Sequence, residues 1–181
     1  FGLIIATIPV IIAGLLMRIT GLDEALRSVA VIGWTMLGFG LVLYWADQRG
    51  PVHKQEQDWG AMDALKMGLW QAVALIPGTS RSGICITGGR FLGYNRHDAA
   101  KIAMLMSIPT ILASGALLGL EVASEADASV AIDGLIGAVF AFGAALAALT
   151  LMMRLLRSVS FTPYVIYRVI LGAGLLVYAY A

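Results

Sequence analysis

Uncharged apolar blocks separated by short polar stretches run along the chain. Phe1 to Met17 and Ser28 to Ala46 contain no charged residue, and Asp98 to Leu120, Gly134 to Leu155 and Pro163 to Ala181 contain few. At about 1.5 Å per residue each approaches or exceeds the ~30 Å of a bilayer's hydrocarbon core, which predicts five membrane-spanning helices. Pro9 and Pro109 fall inside two of them as kinks that neighbouring helices can tolerate. Tyr44 and Trp45 near the end of the second span read as interface anchors.

The pattern breaks once. Asp63 to Ile76 and Ser82 to Phe91 are helical in character but too short to cross, about 14 and about 10 residues. Between them lies Pro77-Gly78-Thr79-Ser80-Arg81-Ser82-Gly83. Two short arms around a Pro-Gly break predict a re-entrant helical hairpin over about 63–91, a broken element that is tolerated where it faces protein or a cavity. The fold class is therefore all-α: one polytopic membrane domain over 1–181, with five full spans plus one re-entrant hairpin.

Basic residues orient it. The Arg154–Arg157 edge is expected on the cytoplasmic side, and the stretch Glu121 to Asp133, with four acids and no base, as an external loop. Alternation then places Arg49, Lys54, Arg90, Arg96 and Lys101 inside and only Arg18 and Arg27 outside. A cytoplasmic start and an external C-terminus follow.

Composition agrees with this reading and excludes others. The chain of 181 residues is 60% apolar and 13% charged, with a mean hydropathy of +0.87. It carries too little polar surface for a soluble domain. One cysteine rules out a disulfide within the chain, and His53 and His97 stand apart in polar stretches, so no zinc motif exists. A net charge of +1 gives no reason to expect nucleic acid as a partner. The chain opens on Phe1 inside an apolar run without a charged n-region, which is not a signal peptide; a start partway through a longer protein is expected.

The chemistry concentrates in the break. A guanidinium in apolar surroundings needs a partner, or it costs several kcal/mol. Arg81 can fork onto two phosphate oxygens, Ser80 and Ser82 can donate hydroxyl hydrogens, and Gly78 and Gly83 allow close backbone approach. Pro77 is expected to end the first arm and Ser82 to cap the second, whose positive end favours a phosphate. The result would be a phosphate cradle at membrane depth. The competing reading is a plain helix break whose arginine snorkels to a headgroup. Thr79 and Thr87 add hydroxyls, yet nothing visibly activates one as a nucleophile. No acid lies between Ala64 and His97. Gln71 could hydrogen-bond the site or serve as a packing amide. Arg168, inside the last span, could aid the anion, pair with an acid, or snorkel. The small residues Gly137, Ala141 and Gly143 to Ala145 read as tight packing, with a homodimer through that face as the alternative.

Pro77 to Gly89, PGTSRSGICITGG, strongly resembles a signature of the bacterial undecaprenyl-diphosphate phosphatase family, the bacitracin-resistance phosphatases. Gly68-x-x-Gln71-x-x-Ala74, Arg90-Phe91-Leu92-Gly93 and Phe161-x-Pro163-x-x-x-Tyr167-Arg168 extend the resemblance over essentially the whole chain. It implies an inverted-repeat architecture whose two re-entrant hairpins meet at a pocket open to the periplasmic side of the inner membrane. It also implies removal of the terminal phosphate of undecaprenyl diphosphate, supported by a divalent cation, magnesium or calcium, to regenerate the carrier for peptidoglycan synthesis. Ser80 and Arg81 match active-site positions, with Arg81 on the diphosphate.

Two departures matter. The family's catalytic glutamates and histidine belong to an N-terminal repeat whose motifs do not occur here, so this segment alone is expected to be inactive. Cys85 stands where the family usually has threonine, which puts a phosphate contact there in doubt. The runner-up function is a transporter or flippase that binds an anionic lipid or small anion without chemistry; a membrane scaffold leaves Arg81 between two serines unexplained.

Overall fold

Serine and glycine at the edges of the apolar blocks set the helix limits. The computed structural model describes the backbone of residues 1–125, 128–155 and 159–181, and their side chains except at 23, 117, 118 and 120–133. Helix α1 (Gly2–Thr20) ends at Gly21, whose φ of 67° lets its N–H reach back to the carbonyls of Arg18 and Met17. After the single turn α2 (Leu22–Ala25), α3 (Val29–Arg49) starts at Ser28, whose hydroxyl accepts the Val31 N–H at 3.2 Å. Two short helices follow, α4 (Ala61–Val73) and α5 (Arg81–Phe91), then α6 (Arg96–Glu125), α7 (Ala128–Leu155) and α8 (Thr162–Tyr180). Pro163 occupies the first turn of α8, where its missing N–H costs nothing.

Among the described residues five helices are long and apolar enough to cross a membrane: α1, α3, α6 over Arg96–Ala116, α7 over Gly134–Leu155, and α8. These are the five expected spans. At 13 and 11 residues, α4 and α5 reach only ~20 Å and ~17 Å. Helix α3 lies along α8, and α1 along α4. Small residues permit both approaches: a Cβ on Gly33 would sit 2.8 Å from Leu176, and one on Gly68 would sit 2.5 Å from the Ala6 carbonyl oxygen.

Three local expectations change. Helix α4 stops at Val73, not Ile76, because the N–H groups of Ala74, Leu75 and Ile76 bond three residues back and tighten the chain ahead of Pro77. Ser80, not Ser82, caps α5; Ser82 lies in its first turn. The acidic stretch expected as an external loop is helical as far as Glu125 and again from Ala128. Its side chains, and Arg157 of the expected basic edge, lie outside the described residues. Among the described residues nothing lies within 4 Å of a Cβ built on Gly137 or Gly143 of α7.

Helix α5 is the centre of the bundle. Every residue from Gly83 to Arg90 is buried, packed by α3, α4 and α6. Its far end is fixed by charge. The Asp47 carboxylate, with no exposed side-chain surface, accepts Arg96 Nε at 2.6 Å and Nη2 at 3.1 Å, plus the Phe161 N–H at 3.4 Å. Arg90 donates to the carbonyls of Tyr94 (2.6 Å), Asp47 (3.1 Å) and Gly50 (3.3 Å), and its Nε lies 3.8 Å from Asp47. Lys101 pairs with Glu56 beside it.

A second buried carboxylate at the same end titrates. Burial pushes the Asp63 carboxyl up, but hydrogen bonds from Lys54 (2.7 Å) and Tyr94 (2.6 Å), together with the charges of Lys54 and Lys66, outweigh it and hold the group below its ordinary value. A depressed carboxylate contributes stability above its unfolded pKa and loses it as pH falls through the folded value. Burial, then Asp63, pushes the Tyr94 hydroxyl up, so it stays a neutral donor. Tyr94→Phe removes one of the lowering bonds. The acid-unfolding midpoint, followed by circular dichroism in detergent, is expected to move to higher pH; an unchanged midpoint counts against the coupling.

Candidate active site

The turn between α4 and α5 is built so that its carbonyls face outward. Gly78 takes φ 84°, and a Cβ there would lie 2.3 Å from Thr35 Oγ1 and 2.7 Å from the Ile32 carbonyl oxygen, so only glycine fits. Thr35 donates to the Pro77 carbonyl at 2.6 Å from α3, and Arg168 Nη2 donates to the Gly78 carbonyl at 2.8 Å from α8. No cis peptide is present among the described residues. On the first of those peptides the Gly78 N–H points the opposite way from the anchored carbonyl, whereas the Thr79 N–H on the second donates to the Ile76 carbonyl at 3.2 Å.

Ser80 is the one non-glycine residue with positive φ among the described residues, at 69°. Holding it there costs about 1 kcal/mol, and the surrounding contacts impose it. Its Oγ accepts the Gly83 N–H at 3.3 Å and lies 2.8 Å from the Tyr164 hydroxyl. A Cβ on Gly83 would come within 3.2 Å of that oxygen.

Arg81 opens α5 half-buried, and its Nη1 is buried with no hydrogen-bond partner. Among the described residues no carboxylate pairs with it. The Thr79 hydroxyl beside it is also buried and without a partner. A buried donor left unsatisfied costs about 1–3 kcal/mol. Two such donors stand two residues apart at the start of α5, where the helix dipole is positive and favours an anion. Ser82 and Gly83 also line an apolar groove of about 350 Å³ whose walls include Ile86, Met152, Leu155 and Tyr164.

The sequence-derived candidates fall into two groups. Gly78, Thr79, Ser80, Arg81, Ser82 and Gly83 come together at the turn, with Arg168 behind it. Gln71, Cys85 and Thr87 lie deeper and are fully buried. Gln71 donates to Thr110 Oγ1 at 3.1 Å and its Oε1 stands 3.9 Å from Cys85 Sγ. Thr87 donates to the Gly83 carbonyl at 2.8 Å, so its hydroxyl hydrogen is spent inside its own helix. Arg168 does not snorkel, and among the described residues it meets no acid. It is 3% exposed and spends its donors on the carbonyls of Met36 (3.3 Å) and Gly78 and on the Tyr164 hydroxyl (3.4 Å).

Sequence reasoning missed Thr35 and Tyr164. Tyr164 stands four residues before Arg168, the spacing of helical neighbours, which was the available signal; its contact with Ser80 spans 84 residues of chain.

The donor set decides what the site can hold. Guanidinium, hydroxyl and amide hydrogens suit an anion. The cradle contains no carboxylate, and among the described residues no three His, Cys, Asp or Glu side chains converge on a point. These residues do not by themselves fit a divalent cation.

Known proteins share this sequence closely. It is 71% identical over 179 residues to the undecaprenyl-diphosphatase of Dinoroseobacter shibae, covering 99% of this chain and 67% of that protein. It is 71% identical over 181 residues to the undecaprenyl-diphosphatase of a Jannaschia species, covering 100% of the chain and 68% of the relative. A more distant relative, undecaprenyl-diphosphatase 1 of Rhodospirillum rubrum, is 42% identical over 180 residues. The chain thus spans about two thirds of the first two relatives' length. Residues 1–174, which include the whole cradle and Arg168, match one family throughout, and the chain belongs to it: the bacitracin resistance protein BacA family.

Proposed function

We propose that this protein hydrolyses undecaprenyl diphosphate to undecaprenyl phosphate and inorganic phosphate, regenerating the lipid carrier for cell-wall glycan synthesis. The observation that carries this reading is the pair of unsatisfied buried donors, Arg81 Nη1 and Thr79 Oγ1, at the start of α5. Relatives up to 71% identical bear the name of that activity.

The chemistry is phosphoryl transfer to water. The bond between the bridging oxygen and the terminal phosphorus breaks, water supplies the new oxygen, and the lipid monophosphate leaves with its charge. Catalysis of this kind is mostly positioning and charge stabilisation. Arg81 would neutralise the transferred phosphoryl oxygens, and Ser80 and Ser82 would donate to them. Thr79, the backbone at Gly78, the close approach that Gly83 permits and the positive end of α5 would complete the cradle. The apolar groove beside Ser82 would let the polyprenyl chain stay in lipid while its diphosphate reaches Arg81.

The remaining parts belong to the same proposal. The segment is read as the part that follows a first catalytic hairpin, with α4 and α5 as the re-entrant hairpin of the second of two inverted repeats. The carboxylate and histidine that activate water would come from the first, so the segment by itself would be inactive. A divalent cation, magnesium or calcium, would arrive with the diphosphate to share its charge. The pocket would open to the periplasmic side of the inner membrane, and a homodimer would use the uncovered α7 face near Gly137.

The test is phosphate release from undecaprenyl diphosphate by the full-length protein in detergent, beside transbilayer movement of the same lipid in vesicles. Phosphate release supports the phosphatase. Lipid movement without phosphate release replaces it with a flippase.

A further inference from the structure

Tyr164 and Arg168 lie one turn apart on α8, outside the α4–α5 turn, and Arg168 anchors that turn through the Gly78 carbonyl. Their hydrogen bonds connect in series to Ser80. We propose that Arg168 and Tyr164 are positioning residues that fix Ser80 as a hydrogen-bond donor to the bound phosphate and so exclude it as the nucleophile. This rests on the phosphatase reading above.

The argument is a count of hydrogens. A guanidinium has donors and no acceptor. Arg168 Nη1, 3.4 Å from the Tyr164 oxygen, can only donate to it. The Tyr164 and Ser80 oxygens are 2.8 Å apart, and either could donate in isolation. The Gly83 N–H already donates to Ser80 Oγ at 3.3 Å. A phosphate in the cradle is an acceptor only. With it present, one arrangement gives every hydrogen an acceptor: Arg168 to Tyr164, Tyr164 to Ser80, Ser80 to phosphate.

In that arrangement both lone pairs of Ser80 Oγ are occupied, one by the Gly83 amide and one by the Tyr164 hydroxyl. An oxygen with both lone pairs engaged and its hydrogen on the substrate cannot attack phosphorus. Among the described residues its neighbours are an amide N–H, a phenol and, beyond that, a cation, and none of them is a base. The strained φ of Ser80 serves the same end, because it holds the Oγ between α5 and α8 where both donors reach it. The cationic head of the chain polarises the hydrogen bonds that follow it.

The test is a double-mutant cycle on Tyr164→Phe and Ser80→Ala in the full-length protein. It is read both as kcat/KM for phosphate release and as Kd for inorganic diphosphate by calorimetry. Tyr164→Phe is expected to lower kcat/KM about tenfold, and Ser80→Ala about ten- to a hundredfold, as for a lost hydrogen bond to a charged group. The double variant is expected to be no worse than Ser80→Ala, because the phenol acts only through the serine. Full loss of turnover in Ser80→Ala would overturn the proposal, since that marks a nucleophile; so would multiplicative losses or a Tyr164→Phe variant equal to wild type. If the wild-type protein releases no phosphate, the phosphatase reading fails separately. The diphosphate affinities then decide the relay: coupled losses support it and independent losses overturn it.

Discussion

Replacing Arg81 with alanine is expected to lower kcat/KM for phosphate release about a thousandfold while leaving thermal stability unchanged or raised. The size follows from what an arginine contributes to phosphoryl transfer, where stabilisation of transition-state charge by one such group reaches ~10³. The stability follows from the same side chain. Its Nη1 is buried without a partner among the described residues, so removing it relieves a desolvation cost instead of breaking a bond. Arg81→Lys keeps the charge but loses the fork, and should recover only part of the rate. Phosphate release and thermal unfolding on the same preparations check both halves. A variant that turns over normally would remove Arg81 from the mechanism. One that loses activity only by unfolding would make it a structural residue.

The opposite separation is expected at the other end of α5. Asp47→Asn should destabilise the fold by about 3 kcal/mol. The carboxylate is wholly buried and serves Arg90, whose side chain is only 4% exposed, and Arg96, which is 38% exposed. Removing the charge leaves one guanidinium buried and uncompensated beside another; the more exposed Arg96 contributes less because water screens it. The Phe161 N–H also keeps only a weaker acceptor at the start of α8. The thermal midpoint should fall by several degrees, while the folded fraction keeps its KM because the cradle lies at the far end of the helix. A change in KM with no change in midpoint would contradict this division of labour.

The two ends of α5 also show why some features were legible in sequence and others were not. The five spans were readable because hydropathy and length alone decide them, and the structure has the same five. The break at Pro77-Gly78 was readable because proline and glycine act locally. The end of α4 at Val73 was not, since three-residue-back bonds begin before the proline and leave no mark on composition. Ser80 and Ser82 could not be told apart as caps by type; the choice depends on a backbone angle that Thr35 and Arg168 enforce from α3 and α8. Arg168 was visible as a charge out of place, but its partners are carbonyls, and every residue has one. Gln71 and Thr87 looked like site residues because they are polar in an apolar setting, and the structure gives each a partner within the helix packing.

An uncompensated guanidinium also makes the enzyme sensitive to its buffer. Any small tetrahedral oxyanion in solution, sulfate or vanadate as well as the released product, meets the same donors with no lipid attached. Measured lipid affinities should therefore weaken as such salts are added, and the turnover of concentrated samples should slow as product accumulates.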